Sequence, residues 1–499
     1  MMNTKVSTLA KSGNETGSPH KFDRSMGLIS NFSLGFTYLS PLTGIYALFA
    51  FALALAGPPA IWWILIVAVG QMLVALTFGE IASQYPITGG LYPWSRRLWG
   101  RRYAWLAAWV YLWAMVVMIT SVAEYSVTFV ATLFSFELTP KTGLITASSV
   151  LLLALLLNMS GTRALAQIAK LGFWCEIIGV VALGIYLLIF HRVNDFSVLF
   201  DSMGAVGKDG GYYSAFLAAS LLGLYMFFGF EACGNVAEEV KNPSRGIPMA
   251  MILSIVFGAL SALVSFTGYL LAARSLPDIV SGKVADPIPL ILNESLGSWG
   301  AKGFLVIALI AFISCVLSLQ AALSRLIFSF ARDEMLPASG FLAKLSAKSV
   351  VPNNAMLVSC AAPLLICGWV YLQPDSLNRV TAFAVIGVYF SFMMVVIAAI
   401  WQRLRGWMPG GEWTLRGWGG LINWLALTYQ IAACWILAQP VAGDIPFLDR
   451  WIVLLGLGVV VAVGLVYMVL MRPYGRSSAP ENDAIEHSIE LRRSRETLR

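Results

Sequence analysis

The chain has 499 residues, of which 58% are hydrophobic and only 12% are charged, with a formal net charge of +7; soluble domains carry about a quarter charged residues. That composition excludes an ordinary water-soluble protein. The basic residues are scattered between apolar runs rather than gathered on one soluble face, so they argue for membrane orientation and against a nucleic-acid partner.

Residues 1–24 are polar, rich in Ser, Thr, Gly and Lys, and lack the apolar core and cleavage site of a secretory signal. They are expected to form a disordered cytoplasmic tail. Apolar windows long enough to span a bilayer then recur, and their Gly, Pro and charged boundaries predict an all-α membrane protein of about twelve helices. These fall at about 27–53, 60–82, 103–132, 144–160, 171–190, 213–238, 249–272, 302–332, 353–372, 378–401, 421–440 and 449–471, within one transmembrane domain over 25–472. From 473 to 499 acidic and basic residues alternate, which predicts a second cytoplasmic tail able to hold a short amphipathic helix. With the amino terminus cytoplasmic, most of the 33 Lys and Arg side chains fall in inner loops and tails, Arg96, Arg97, Arg101, Arg102 and Lys241 among them. The positive-inside rule then places both termini in the cytoplasm and requires an even number of spans. The six cysteines lie inside predicted spans without a CxxC pair, so neither a disulfide framework nor a metal site is expected.

Two spans contain sequence that a continuous helix avoids: Ser40-Pro41-Leu42-Thr43-Gly44 in the first and Gly229-Phe230-Glu231-Ala232-Cys233-Gly234 in the sixth. Pro removes a backbone donor and Gly weakens a helix. In hydrocarbon the freed groups need partners, so such breaks are expected only where they line a cavity or are buried in protein. Interruptions five spans apart are the spacing of an inverted repeat, here about 27–190 and 213–401 with extra helices over 421–471, and point to a central transport site. A Pro kink and small-residue packing are the plainer explanation. Half-helix amino termini offer amides to a carboxylate, and unwound carbonyls accept from an ammonium.

Glu80, Glu124, Glu176 and Glu231 fall within or near spans and are functional candidates by cost alone. Glu231 sits in the sixth-span break and can either support the unwound backbone or accept a proton. Glu176 faces the bundle and is a candidate proton relay. Glu80 suits a capping or gating contact, and Glu124 lies near the outer interface. For Arg325 and the cluster Arg332-Asp333-Glu334, snorkelling and ion pairing suffice.

Three segments resemble the amino acid, polyamine and organocation (APC) transporter superfamily. They are Gly79-Glu80-Ile81-Ala82-Ser83-Gln84-Tyr85-Pro86 with Gly89-Gly90-Leu91-Tyr92; Gly229-Phe230-Glu231-Ala232 with Glu238-Glu239-Val240-Lys241-Asn242-Pro243-Ser244-Arg245; and Ser324-Arg325 with Ala331-Arg332-Asp333-Glu334-Met335-Leu336-Pro337. The stretch Tyr38–Tyr46 with Ala56-Gly57-Pro58-Pro59 looks most like its amino acid, GABA and choline permease branch. The resemblance implies a five-plus-five inverted-repeat core with two extra helices, alternating access, and a site between helices one, three, six, eight and ten. It implies that Ser40, Thr43 and Gly44 meet a substrate carboxylate, while Phe227, Phe228 and Gly229 border its amine with an aromatic gate. The chain departs from that superfamily's Gly-rich first break in having Leu42-Thr43-Gly44 after a proline.

The expected function is secondary active transport of an amino acid or GABA-like zwitterion at the cell membrane, by proton symport or exchange, with no organic cofactor and no metal. Choline or a polyamine is the alternative substrate, and a non-transporting nutrient sensor the alternative class. An enzyme is not expected: His20, His191 and His487 lie in tails or an outer loop, and no nucleophile motif is present.

Overall fold

A computed structural model describes residues 24–205, 211–284, 286–347, 349–373, 377–440 and 446–497. The expected amino-terminal tail therefore lies outside the described residues, Arg24 apart. The first span is two helices, α1 (Leu28–Leu39) and α2 (Pro41–Ala56), meeting at Ser40 in the left-handed conformation (φ 44°). The second is α3 (Trp62–Gln84), followed by the short α4 (Leu91–Trp99) on the termini-bearing face. Then come α5 (Arg101–Phe134), α6 (Pro140–Met159) and the fifth span. The latter is α7 (Thr162–Glu176), a π-helical turn at Ile177–Ala182, and α8 (Leu183–Phe190).

The sixth span consists of pieces: α9 (Gly211–Ala218), α10 (Leu221–Met226) and α11 (Ala232–Asn235). This is why eleven helices among the described residues are long and apolar enough to cross a membrane, although twelve spans were expected. After α12 (Pro243–Ala272), α13 (Leu276–Val280) and the helical Pro287–Arg332, here α14, carry the chain back. Gly297 breaks α14 (φ 70°, ψ 173°), so the polar 273–301 stretch, read from sequence as loop, is largely helical. Next are α15 (Ser339–Leu342), α16 (Asn353–Leu372), α17 (Leu377–Leu404), α18 (Gly419–Leu437), α19 (Phe447–Arg450), α20 (Ile452–Met471) and α21 (Ala484–Glu496).

The fivefold offset is visible in the helices themselves. Spans one and six are broken, spans three and eight are the longest, and spans four and nine are 20 residues each. Spans one, three, six and eight pack at the centre, while α18 and α20 lie outside against α3, α5 and α17. Leu152, Leu156, Leu365, Val459 and Leu470 point outward and exposed, as side chains bathed in lipid do. The fifth span starts nine residues earlier than expected, because Arg163 and Lys170 sit on the exposed face of an amphipathic first half rather than in a loop.

The carboxy-terminal segment is strapped to the termini-bearing face. Asp483 pairs with Arg97 at 2.8 Å, the Ala484 carbonyl accepts from Gln84 Nε2 at 3.0 Å, and Arg495 donates to the Gly410 and Gly411 carbonyls. The His487 ring stacks on Tyr85 (5.2 Å, 14°), whose ring also lies 4.8 Å from the Arg97 guanidinium carbon. Burial and the nearby Arg97 push the His487 pKa down, against the opposing pull of Asp483 and Glu490. The undocked helix thus binds a proton more readily than the docked one, and docking weakens as pH falls through the ordinary histidine value of about 6.5. Limited proteolysis or hydrogen exchange across residues 473–497 is expected to speed up between about pH 7.5 and 5.5, around that same ordinary value. A His487→Gln variant should show a flat profile; an identical acid response in that variant would refute the assignment.

Candidate functional site

The first-span break is held by side chains. Ser40 ends α1 with its amide on the Phe36 carbonyl (2.8 Å), and Pro41, which has no amide to satisfy, opens α2. Thr43 N donates to Ser40 Oγ (3.2 Å), and the Ser40 and Thr43 hydroxyls meet at 2.7 Å. Ser40 Oγ also donates to Glu176 Oε1, and Leu42 N donates to Glu176 Oε2 at 3.1 Å. Glu176 is fully buried at the end of α7, just before the π-helical turn. Such turns shift a helix's register and concentrate at functional sites. Its carboxylate therefore sits at the amino end of α2, the place where sequence reasoning put a substrate carboxylate.

The sixth-span break is the counterpart. Gly229 (φ +112°) carries the reversal, and its amide donates to Glu231 Oε2 at 2.8 Å. Glu231 Oε1 accepts from the Tyr111 hydroxyl at 2.7 Å, which ties the break to the third span. Phe228 lies edge-on to Tyr38 (5.9 Å, 79°) and to Tyr225 (5.9 Å, 75°). Tyr38 and Tyr225 are buried; the Tyr38 hydroxyl lies beside Tyr111 and Glu231, while that of Tyr225 has no hydrogen-bond partner among the described residues. The Tyr38 carbonyl, freed by the first break, accepts from Cys315 Sγ of the eighth span at 3.5 Å, while Thr37 Oγ1 and Ser318 Oγ lie 3.0 Å apart.

The two breaks face each other closely. A Cβ on Gly229 would lie 2.1 Å from the Tyr38 ring, and one on Gly44 would lie 3.0 Å from Met226. Tyr38 and Leu39 thus lie against Gly229, Tyr38 against Phe228, and Gly44 against Met226, while Ser40 and Thr43 bond to each other and Ser40 to Glu176; Phe227, at the end of α10, is fully buried. Sequence reasoning did not name Tyr111 or Tyr225, and Tyr38 entered only as part of a resemblance. The available signal was a tyrosine in the middle of an apolar span, whose hydroxyl needs a partner.

On the termini-bearing face the motifs shared with the APC superfamily form a closed ionic layer. Arg325 is fully buried and grips Glu239 with Nε–Oε1 at 2.9 Å and Nη2–Oε2 at 3.3 Å. It does not snorkel, because its head group points into protein. Arg332 pairs with Glu238 at 3.1 Å, and Glu238 exchanges hydrogen bonds with Thr88. Arg96 pairs with Asp333 at 2.8 Å, and Met26 bridges to the backbone of Glu239 and Lys241. Glu80 is spoken for by Arg403 and the Leu415 amide (2.8 Å). The opposite side is closed by Tyr46 and Tyr269, hydroxyl to hydroxyl at 2.7 Å, with Phe129 against Tyr46 at 5.1 Å.

Comparison with known proteins agrees with this architecture. The amino acid permease family profile matches residues 26–469. The amino-acid permease BAT1 of Arabidopsis thaliana is 26% identical, covering 86% of this chain and 88% of its own length. The GABA-specific permease of Saccharomyces cerevisiae is 22% identical over 92% and 84% of the two chains, and the choline transporter of the same yeast is 28% identical over 71% and 65%. By name these relatives are permeases and transporters rather than enzymes. A profile spanning nearly the whole described membrane domain, with both helix breaks inside it, establishes that this multi-pass membrane protein belongs to the amino acid permease family.

Proposed function

We propose that the chain is a secondary active transporter that moves a small amine-bearing solute, an amino acid, a GABA-like zwitterion or an organic amine, across the cell membrane by alternating access. The observation that carries this reading is the pair of facing breaks, each with a buried carboxylate hydrogen-bonded to its freed backbone. The ammonium is expected among the unwound backbone near Phe227 and Phe228, flanked by the rings of Tyr38 and Tyr225. An ionic layer on one side and an aromatic layer on the other supply two separable closures, as alternating access needs. The distribution of Lys and Arg supports cytoplasmic termini.

Glu231 is the proposed proton carrier. Its two oxygens accept from Tyr111 and Gly229; adding a proton turns one acceptor into a donor and breaks one of those bonds, which links protonation to the shape of the sixth-span break. The test is uptake by proteoliposomes of an amino acid and amine panel, with an imposed proton gradient and, separately, with internal unlabelled solute. Gradient-driven accumulation by the wild type that is lost in Glu231→Gln, with counterflow retained, is the expected result. Accumulation undiminished in Glu231→Gln would remove it from the coupling path, and binding of a panel member without any flux would favour a sensor.

A further inference from the structure

The first-span break is already supplied with a carboxyl acceptor by the chain itself. Of the amides that open α2, Pro41 has none, Leu42 donates to Glu176, Thr43 to Ser40 Oγ and Gly44 to the Ser40 carbonyl. The positive end of that half-helix, which attracts carboxylates, therefore finds its acceptors within the protein. We infer that Glu176 takes the place of a substrate carboxylate at this break, so that the transported solute is a small ammonium compound without a carboxyl group. This inference rests on the transporter reading and narrows it.

The placement of Glu176 is built into the fifth span. Gly172 and Gly179 lie one turn to either side of it on the same helical face. A Cβ on Gly179 would come within 2.7 Å of Leu42, and one on Gly172 within 2.0 Å of Ser314 and 3.2 Å of Thr37. Only glycines let the fifth span approach the first and eighth this closely, and that approach delivers the carboxylate to Ser40 and Leu42.

The rest of the site is chemically suited to a cation. Glu231 lies in the opposing break, and the rings of Tyr38, Tyr225 and Phe228 pack together beside it. The buried hydroxyl of Tyr225, which has no hydrogen-bond partner among the described residues, is an independent sign that the aromatic cluster takes a ligand. Tyrosine and phenylalanine rings with a nearby carboxylate bind ammonium groups well. Among the described residues the buried basic side chains, Arg96, Arg97 and Arg325, belong to the ionic layer on the termini-bearing face. A zwitterion would thus bring its carboxylate to a half-helix end whose amides already have acceptors, and a charged group left unpaired in a buried site is costly.

The test uses the full chain in proteoliposomes and matched pairs that share an amine and differ in the carboxylate: choline and glycine betaine, ethanolamine and glycine, butylamine and GABA. Competition for uptake and thermal stabilisation give relative affinities. The carboxylate-free member of at least one pair is expected to bind at least about tenfold more tightly, as an unpaired charged group in a dry site costs at least that factor. Glu176→Ala, which frees Ser40 Oγ and the Leu42 amide, should narrow or invert the ratio, and Glu176→Gln, which keeps an acceptor for Leu42, serves if the alanine variant does not fold. Preference of the wild type for the zwitterions, or an unchanged ratio in a folded Glu176 variant, overturns the inference and leaves the transporter reading intact. Binding of no member of any pair overturns both.

Discussion

Replacing Arg325 with alanine is expected to lower the unfolding free energy of the detergent-solubilised protein by about 3–5 kcal/mol, the usual cost of stripping one partner from a buried ion pair. Both side chains of the Arg325–Glu239 pair are 0% exposed. The guanidinium meets the carboxylate with two nitrogens, the fork-on-fork geometry that makes such pairs strong. Thr162 donates its hydroxyl to Glu239 Oε2 at 2.5 Å, so one carboxylate joins the start of the fifth span, the exit of the sixth and the end of the eighth. Without Arg325 a buried carboxylate keeps a single hydroxyl donor. The double variant Arg325→Met with Glu239→Met should recover most of the loss, since the desolvation cost of both charges disappears together. Thermal unfolding of the two single variants and the double variant measures this. A cost below about 1 kcal/mol for Arg325→Ala would mean that the pair behaves like a solvent-exposed one.

The same pair shows what the sequence can and cannot disclose. The acidic exit of the sixth span and Arg325 were both legible as motifs, but not their contact, because 86 residues separate them. The helix breaks were legible because backbone chemistry writes them locally: a proline without an amide at 41 and glycines at 44 and 229. The groups that satisfy each break come from elsewhere, Glu176 from 136 residues away and Tyr111 from 120. Sequence reasoning held that a carboxyl within a span is costly and that freed backbone groups need partners. It could not choose them, and so it offered the amino end of α2 to a substrate while treating Glu176 as a separate proton relay. The fifth span's start was missed for a related reason: Arg163 and Lys170 read as loop charges until a neighbouring surface shows which face of the helix is covered.

Gly229 and Gly44 both read in the sequence as glycines of a helix break, and their alanine variants are expected to behave very differently. Gly229 has φ +112°, a conformation that L-residues adopt only under strain, at about 1–3 kcal/mol. Its new Cβ would fall 2.1 Å from the Tyr38 ring and 2.9 Å from the Leu39 amide nitrogen. The ring cannot simply swing aside, because Tyr38 is buried edge-on against Phe228, and the Leu39 contact is to backbone. Overpacking of that kind adds about 1–3 kcal/mol. Relief must come from separating the two breaks, which would also pull Glu231 from Tyr111, so uptake should fall to background in Gly229→Ala even where folded protein is recovered. Trimming the ring with Tyr38→Ala removes one clash but neither the backbone contact nor the positive φ. The double variant should therefore regain part of the thermal stability and none of the transport. Gly44 lies in the first turn of α2 without a positive φ, and the three atoms nearest its Cβ would be Cγ, Cβ and Cε of Met226 at 3.0–3.3 Å, with no backbone atom among them. Alanine there gains helix propensity of about 0.5–1 kcal/mol against a small shift of Met226, so stability should hold and uptake should stay measurable. Uptake by Gly229→Ala as fast as by Gly44→Ala would show that the sixth-span break can open from the first without cost to the transport cycle, and that the close approach of Gly229 to Tyr38 is packing alone.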